Sequence, residues 1–187
     1  MHKPLLFTLV TAFASQCGAA GFTLSSPEMA PGAYIAGKQV FRGFGCEGGN
    51  TSPALNWQGA PKGTKSFAVT MYDPDAPTGS GWWHWLVFNL PADATDLKPG
   101  AGDPKAGLLP AGAVQSRTDF GQPGYGGPCP PVGDKPHRYV FTVHALKVDA
   151  LKVDALALDE NATAAMVGFF LNQNALGKAV LQGRYGR

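Results

Sequence analysis

The chain contains no run of lysine or arginine, and only 15% of its residues are charged, fifteen basic and thirteen acidic. No aromatic-basic stripe compensates, which excludes an electrostatic groove for nucleic acid. Beyond the N-terminus no apolar run reaches membrane-spanning length, so stable membrane insertion is not expected. The familiar catalytic and metal signatures are also missing. Ser80 lies in TGSGW without a G-x-S-x-G elbow, no G-x-G-x-x-G enters a helix, and no phosphate loop ends in G-K-[ST]. Neither H-x-H nor H-E-x-x-H occurs, and His137 and His144 are seven apart on one strand, so they point to opposite faces. Metal ligands and cofactors are therefore not expected. Cysteine is scarce at three, whereas Gly (25) and Pro (16) are plentiful enough to make long irregular loops.

The N-terminus reads as a secretory signal peptide over residues 1–20. Lys3 supplies a short basic region, Leu5 to Ala14 an apolar core, and Gly18-Ala19-Ala20 the small residues for cleavage near Ala20. A lipidated Cys17 is the alternative, disfavoured by Gln16 before it. Residues 21–187 then form a single domain, periplasmic or secreted. Loss of Lys3 leaves fourteen basic against thirteen acidic residues, a net charge of +1. Cys46 and Cys129 remain, and in an exported chain the default for such a pair is one disulfide; two buried free thiols are the alternative.

The periodicity is that of strands. Ser66 to Tyr72 alternates, with Phe67, Val69 and Met71 on one face, and Trp82 to Leu90 alternates with Trp82, His84, Leu86, Phe88 and Leu90 on one face. Pro136 to Leu146 puts His137, Tyr139, Phe141, Val143 and Ala145 together. GFTLSS, YIAGKQVF, Ala54 to Trp57, Val114 to Asp119 and Ala179 to Tyr185 read as shorter strands. Residues 91–112 read as an excursion with one helical turn. The LKVDA repeat at 146 and 151 reads as a surface connection. A late helix is capped by Asp159, with Ala162, Ala165, Met166, Phe169 and Phe170 as its buried stripe. These elements predict a mainly β fold, an antiparallel β-sandwich with Greek-key connections and one or two short helices.

Between the two central strands, DPDAPTGSG holds Asp73 and Asp75 on a stiff turn. Asp73, Asp75, His84, His137 and Tyr139 together would form a pocket for a small anion. The imidazoles donate, a carboxylate orients them and raises their pKa, and amides of the 124–129 loop add donors. Plainer readings stay open: a satisfied core histidine at 84, and a turn-initiating carboxylate at 73.

YDPDAPTGSGWWHW at 72–85 and GGPCPPVGDKPHRYVFTVHAL at 126–146 resemble the phosphatidylethanolamine-binding protein family, also called the Raf kinase inhibitor protein family, in its exported bacterial YbhB/YbcL-type branch. NTSPALNW at 50–57 extends the resemblance, which covers about 41–170. It implies a β-sandwich with a small anion pocket lined by Asp73, Pro77, His84, His137 and Tyr139, supported by Asp75 and Trp82. Where the family usually carries G-x-G-P-P this chain reads GGPCPPVG, which sets Cys129 in the pocket wall. That agrees with a Cys46–Cys129 clamp in exported relatives. The implied partners are a phosphate-like ion, phospholipid headgroup or phospho-residue, and possible protein partners are a kinase, a protease or a second copy in a homodimer. The implied role is non-catalytic; inhibition through a protein interface, or a His/Asp hydrolase, are the competing readings.

Overall fold

A computed structural model describes residues 21–153 and 156–187; the signal-peptide reading lies outside them. In chain order the elements are β1 (Thr23–Ser25), β2 (Arg42–Gly43), β3 (Cys46–Glu47), β4 (Leu55–Gln58), β5 (Ser66–Asp73) and β6 (Trp82–Pro91). There follow β7 (Asp96–Leu97), β8 (Val114–Gln115), β9 (His137–Leu146), β10 (Lys152–Val153), β11 (Leu156–Ala157), α1 (Ala164–Asn174) and β12 (Ala175–Tyr185).

Five strands form an antiparallel sheet in the order β12-β9-β5-β6-β8. Strand β9 returns to lie beside β5 after β5, β6 and β8 have been laid side by side, which is the Greek-key order. The second sheet, β1-β4-β7, packs on one face of the first. Between them Phe67, Val69, Met71, Trp85, Phe141 and Val143 bury against Leu24, Leu55 and Trp57. Each such side chain contributes on the order of 1.5–3 kcal/mol by leaving water. The opposite face holds Ala68, Leu86, Phe88 and Leu146 under α1. The antiparallel β-sandwich with a Greek-key connection read from the sequence is therefore present.

Four local expectations fail, each for a tertiary reason. Ile35 to Phe41 is not a strand: turns closed by Gln39 N to Ala36 O (2.9 Å) and Val40 N to Gly37 O (3.2 Å) carry Ile35 and Val40 into the interior as loop anchors. Residues 91–112 hold turns and β7 but no helical turn. The repeat region pairs as the β10–β11 hairpin, with Leu151 fully buried. The helix starts later than predicted. Thr163 is its N-cap and accepts from Met166 N, while Asp159 caps a turn by accepting from Asn161 N at 2.9 Å. Its buried face is Ala164, Val167 and Leu171, so Met166 and Phe169 of the predicted stripe are exposed.

The parity of β6 also changes. Opposite Met71 and Tyr72 of β5 its partners jump from Trp85 to Trp83, leaving His84 as an extra residue in a bulge. A second shift lies between the partners of Phe67 and Val69, near Asn89, which has φ +59°. Leu86 and Phe88 consequently face α1, while Trp85, Val87 and Leu90 face the other sheet. His84 parts company with the Leu86 and Phe88 that simple alternation assigned to its face.

Candidate binding site

The site lies at one end of the large sheet, where Asp73 closes β5, Trp82 and His84 open β6, and His137 and Tyr139 open β9. Their residues line a cavity of about 220 Å³ together with Pro77 and Cys129. Seven of the eight predicted site residues thus meet. Asp75 does not: its carboxylate turns outward, accepting from Arg138 N (2.8 Å), Nε (2.9 Å) and Nη2 (2.7 Å). Those charge-assisted bonds hold the Asp75 carboxyl down at about 2. It braces the base of β9 rather than the cavity.

Asp73 is buried, and each of its oxygens is engaged. Oδ1 accepts from Asp75 N at 2.8 Å, which shapes the turn, and Oδ2 accepts from His137 Nδ1 at 2.8 Å. The other nitrogen of His137, Nε2, lies 3.3 Å from Asp134 Oδ2. His84 is set differently. Its Nδ1 donates to Gly126 O at 2.7 Å, and burial pushes the ring down to about 4, against the opposing pull of Gly126 and Asp73. The expected charge gain at His84 is therefore reversed: the ring is neutral near pH 7, and Nε2 is an acceptor. Tyr139 is pushed above the usual phenol range by burial first and by the Asp73 carboxylate second.

The amides expected from the 124–129 loop are largely committed inside the protein. Tyr125 N donates to Gly102 O, Gly126 N to His84 O and Gly127 N to Asn50 Oδ1, at 2.8–2.9 Å. The glycines serve close approach instead: a Cβ on Gly127 would stand 2.0 Å from Gln39 O, and one on Gly126 2.3 Å from the Phe120 ring. Two donors of the cavity lining have no partner among the described residues, the buried Trp82 Nε1–H and Tyr139 O–H.

A family profile described as Phosphatidylethanolamine-binding protein matches residues 25–186. The chain belongs to the phosphatidylethanolamine-binding protein family. It is 53% identical over 178 residues to the UPF0098 protein YbcL of Escherichia coli (strain K12), covering 95% of this chain and 94% of YbcL. The UPF0098 protein YbhB of the same strain is 50% identical over 158 residues, covering 83% and 94%. LppC of Mycobacterium tuberculosis (strain ATCC 25618 / H37Rv), a lipoprotein by name, is 35% identical over 178 residues, covering 95% and 79%. The crystal structure of E. coli YbcL superposes with a TM-score of 0.85 at 54% identity, over 90% of this chain and 99% of that one.

Within this family member, the motif residues do not account for the whole wall. Phe44 and Phe120, outside both motifs, complete it. Phe120 packs edge-on to His84 (5.3 Å) and Trp82 (5.4 Å), and stacks on Phe41 (4.5 Å). Phe44, 69% exposed, stands beside it on the β2–β3 hairpin. The disulfide Cys46–Cys129, with Cα atoms 6.0 Å apart, ties that hairpin to the wall. This was the overlooked signal: a Cys46–Cys129 link brings GFGC to Cys129, and with it the one large aromatic among those glycines. Among the described residues no group of three His, Cys, Asp or Glu is arranged to hold a metal ion. His144 faces the helix side, with Nε2 3.5 Å from Thr70 Oγ1.

Proposed function

We propose that this protein is an exported, non-catalytic receptor whose cavity captures a small phosphate-type group, either free or as the headgroup of a larger molecule. The observation that carries the reading is the pair of buried, unpartnered donors, Trp82 Nε1–H and Tyr139 O–H, on two residues that line the cavity alongside Asp73, His84 and His137. An unpaired buried donor costs about 1–3 kcal/mol, a cost that a ligand oxygen removes. Neutral His84 adds a condition. Its free Nε2 accepts, so the favoured ligand carries a proton of its own, as a phosphomonoester monoanion or the ammonium of phosphoethanolamine does. His137, braced by Asp73, supplies a fixed polar floor. The hydroxyl of Thr78 is spent on Gly81 O, and Cys129 is in a disulfide, so no activated nucleophile is offered to a substrate. Export is supported by the leader-like residues 1–20, by the disulfide, and by the name of LppC.

Calorimetric titration with inorganic phosphate and phosphoethanolamine tests the assignment. Tyr139→Phe removes one donor with little change of shape and Trp82→Phe removes the other together with one ring of the indole; each should weaken binding by at least about tenfold, the scale of one buried hydrogen bond. His84→Ala should weaken it further. Unchanged affinity in all three variants would remove the cavity as the binding site.

A further inference from the structure

His137 is shared between two concavities. On the side away from the cavity, an open depression of about 520 Å³ is bounded by Asp75, Asp134, Lys135, Arg138 and Arg184, with His137 at its back. Its charge distribution is unusual for a sheet surface. Arg138 of β9 and Arg184 of β12 are direct cross-strand partners, and like charges so placed repel. Asp75 neutralises Arg138 through the bidentate pair already described. Among the described residues Arg184 and the exposed Lys135 form no ion pair, and Asp134 engages the imidazole instead of either cation.

We propose that this depression is a second anion subsite, for a phosphate-type group held by Arg184 and Lys135, and that Asp134 is its internal competitor. Asp134 occupies His137 Nε2 through a 3.3 Å contact, with its side chain 41% exposed while the imidazole is 5% exposed. A half-exposed carboxylate against a buried imidazole nitrogen is the place a stronger oxyanion takes. The exchange needs only side-chain rotation, because the turn itself is pinned: Gly133 N donates to Arg187 O (3.1 Å) and Asp134 N to Pro131 O (3.3 Å). An incoming phosphate then meets a planar guanidinium suited to two of its oxygens, an ammonium, and the edge of His137 that Asp134 had covered, and it relieves the Arg138–Arg184 opposition. The cavity behind His137 works through neutral donors, so the two concavities divide the recognition between them. The subsite does not depend on the cavity reading, since neither Arg184 nor Lys135 lines that cavity.

The experiment is a titration of the full chain with inorganic phosphate, read by calorimetric stoichiometry and by amide and imidazole shifts in ¹H–¹⁵N spectra, at low salt and at pH 7.5. The expected result is shifts at Arg184, Lys135 and His137 that persist in His84→Ala. Arg184→Gln and Lys135→Gln, both exposed and so harmless to folding, should each weaken this event by up to about fivefold, the scale of one screened charge contact. Asp134→Asn should tighten it, because the competitor is gone while the shape stays. Phosphatidylcholine vesicles with and without phosphatidic acid separate the sources: co-sedimentation lost in Arg184→Gln assigns a lipid-borne phosphate, and soluble binding alone assigns a free one. Absence of any phosphate-dependent shift at Arg184 and Lys135, or weaker binding by Asp134→Asn, would overturn the subsite. Loss of binding in Trp82→Phe or Tyr139→Phe with these shifts intact would fault neither, and separates the two concavities.

Discussion

At the scale of single residues, two buried histidines and one carboxylate set the acid response. His84 is held down at about 4 and His144 at about 3, each chiefly by burial, so both are neutral when the chain is folded at neutral pH. Unfolded histidine titrates near 6.5, so between that pH and the folded values the unfolded chain binds more protons, and stability falls as pH drops. The full penalty is on the order of 3 kcal/mol for His84 and about 5 kcal/mol for His144, taken from the unit value of a pKa shift. Asp75 acts in a lower window. Its depressed carboxyl stabilises the fold above the unfolded value near 3.8 and loses that contribution only as pH falls toward 2. Thermal melts at pH 7, 6, 5 and 4 should therefore show a steady fall in Tm, above the window in which Asp75 loses its contribution. His144→Leu, which removes a ring whose Nδ1 has no partner among the described residues, should flatten that fall. A Tm that holds level from pH 7 to 4 would contradict the burial argument. Sequence parity placed His144 away from His137 correctly; it gave no hint that His84 would be neutral, because desolvation depends on Phe120, Tyr139 and the Gly126 segment folding over the ring.

At the scale of elements, the β2–β3 hairpin matters more than its four paired residues imply. It carries Phe44 to the cavity through the Cys46–Cys129 link and is held again by Arg187, which donates to Phe44 O, Gly45 O and Pro130 O. The link closes a span of 83 residues, worth about 4–5 kcal/mol in chain entropy. Reduction by dithiothreitol should lower the unfolding free energy by an amount approaching that, and should weaken phosphoethanolamine binding because Phe44 and the 129–131 wall are no longer fixed to each other. Urea unfolding with and without reductant measures the first, calorimetry the second; unchanged values in both would make the link incidental. The β6 bulge is the other decisive element. It turns His84 out of strict alternation and into the cavity, and no spacing in WWHWLVFNL announces it, since a bulge is selected by the partner strand and by what packs on each face.

At the scale of the whole molecule, the leader reading predicts a mature chain beginning at Gly21. Intact-mass measurement on protein recovered from its host should give that species, and a mass corresponding to a diacylglyceryl group on Cys17 would establish the lipoprotein alternative. Period-two alternation on β5 and β9, Gly/Pro punctuation and the DPDAP and HRY motifs carried, from the sequence, the fold class and most residues around the cavity, and a count of two cysteines in an exported chain made the Cys46–Cys129 bond the default that the structure contains. Those features are local, and each strand carries its own face pattern wherever it is packed. Only the folded chain decided which groups of the site are used and which are free. Asp75 went to Arg138, the loop amides went to the protein's own carbonyl and amide oxygens, Asp134 went to His137, and the helix buried Val167 and Leu171 rather than Met166 and Phe169. Each of these is a competition between partners distant in sequence, settled by burial and hydrogen-bond geometry that spacing along the chain does not encode.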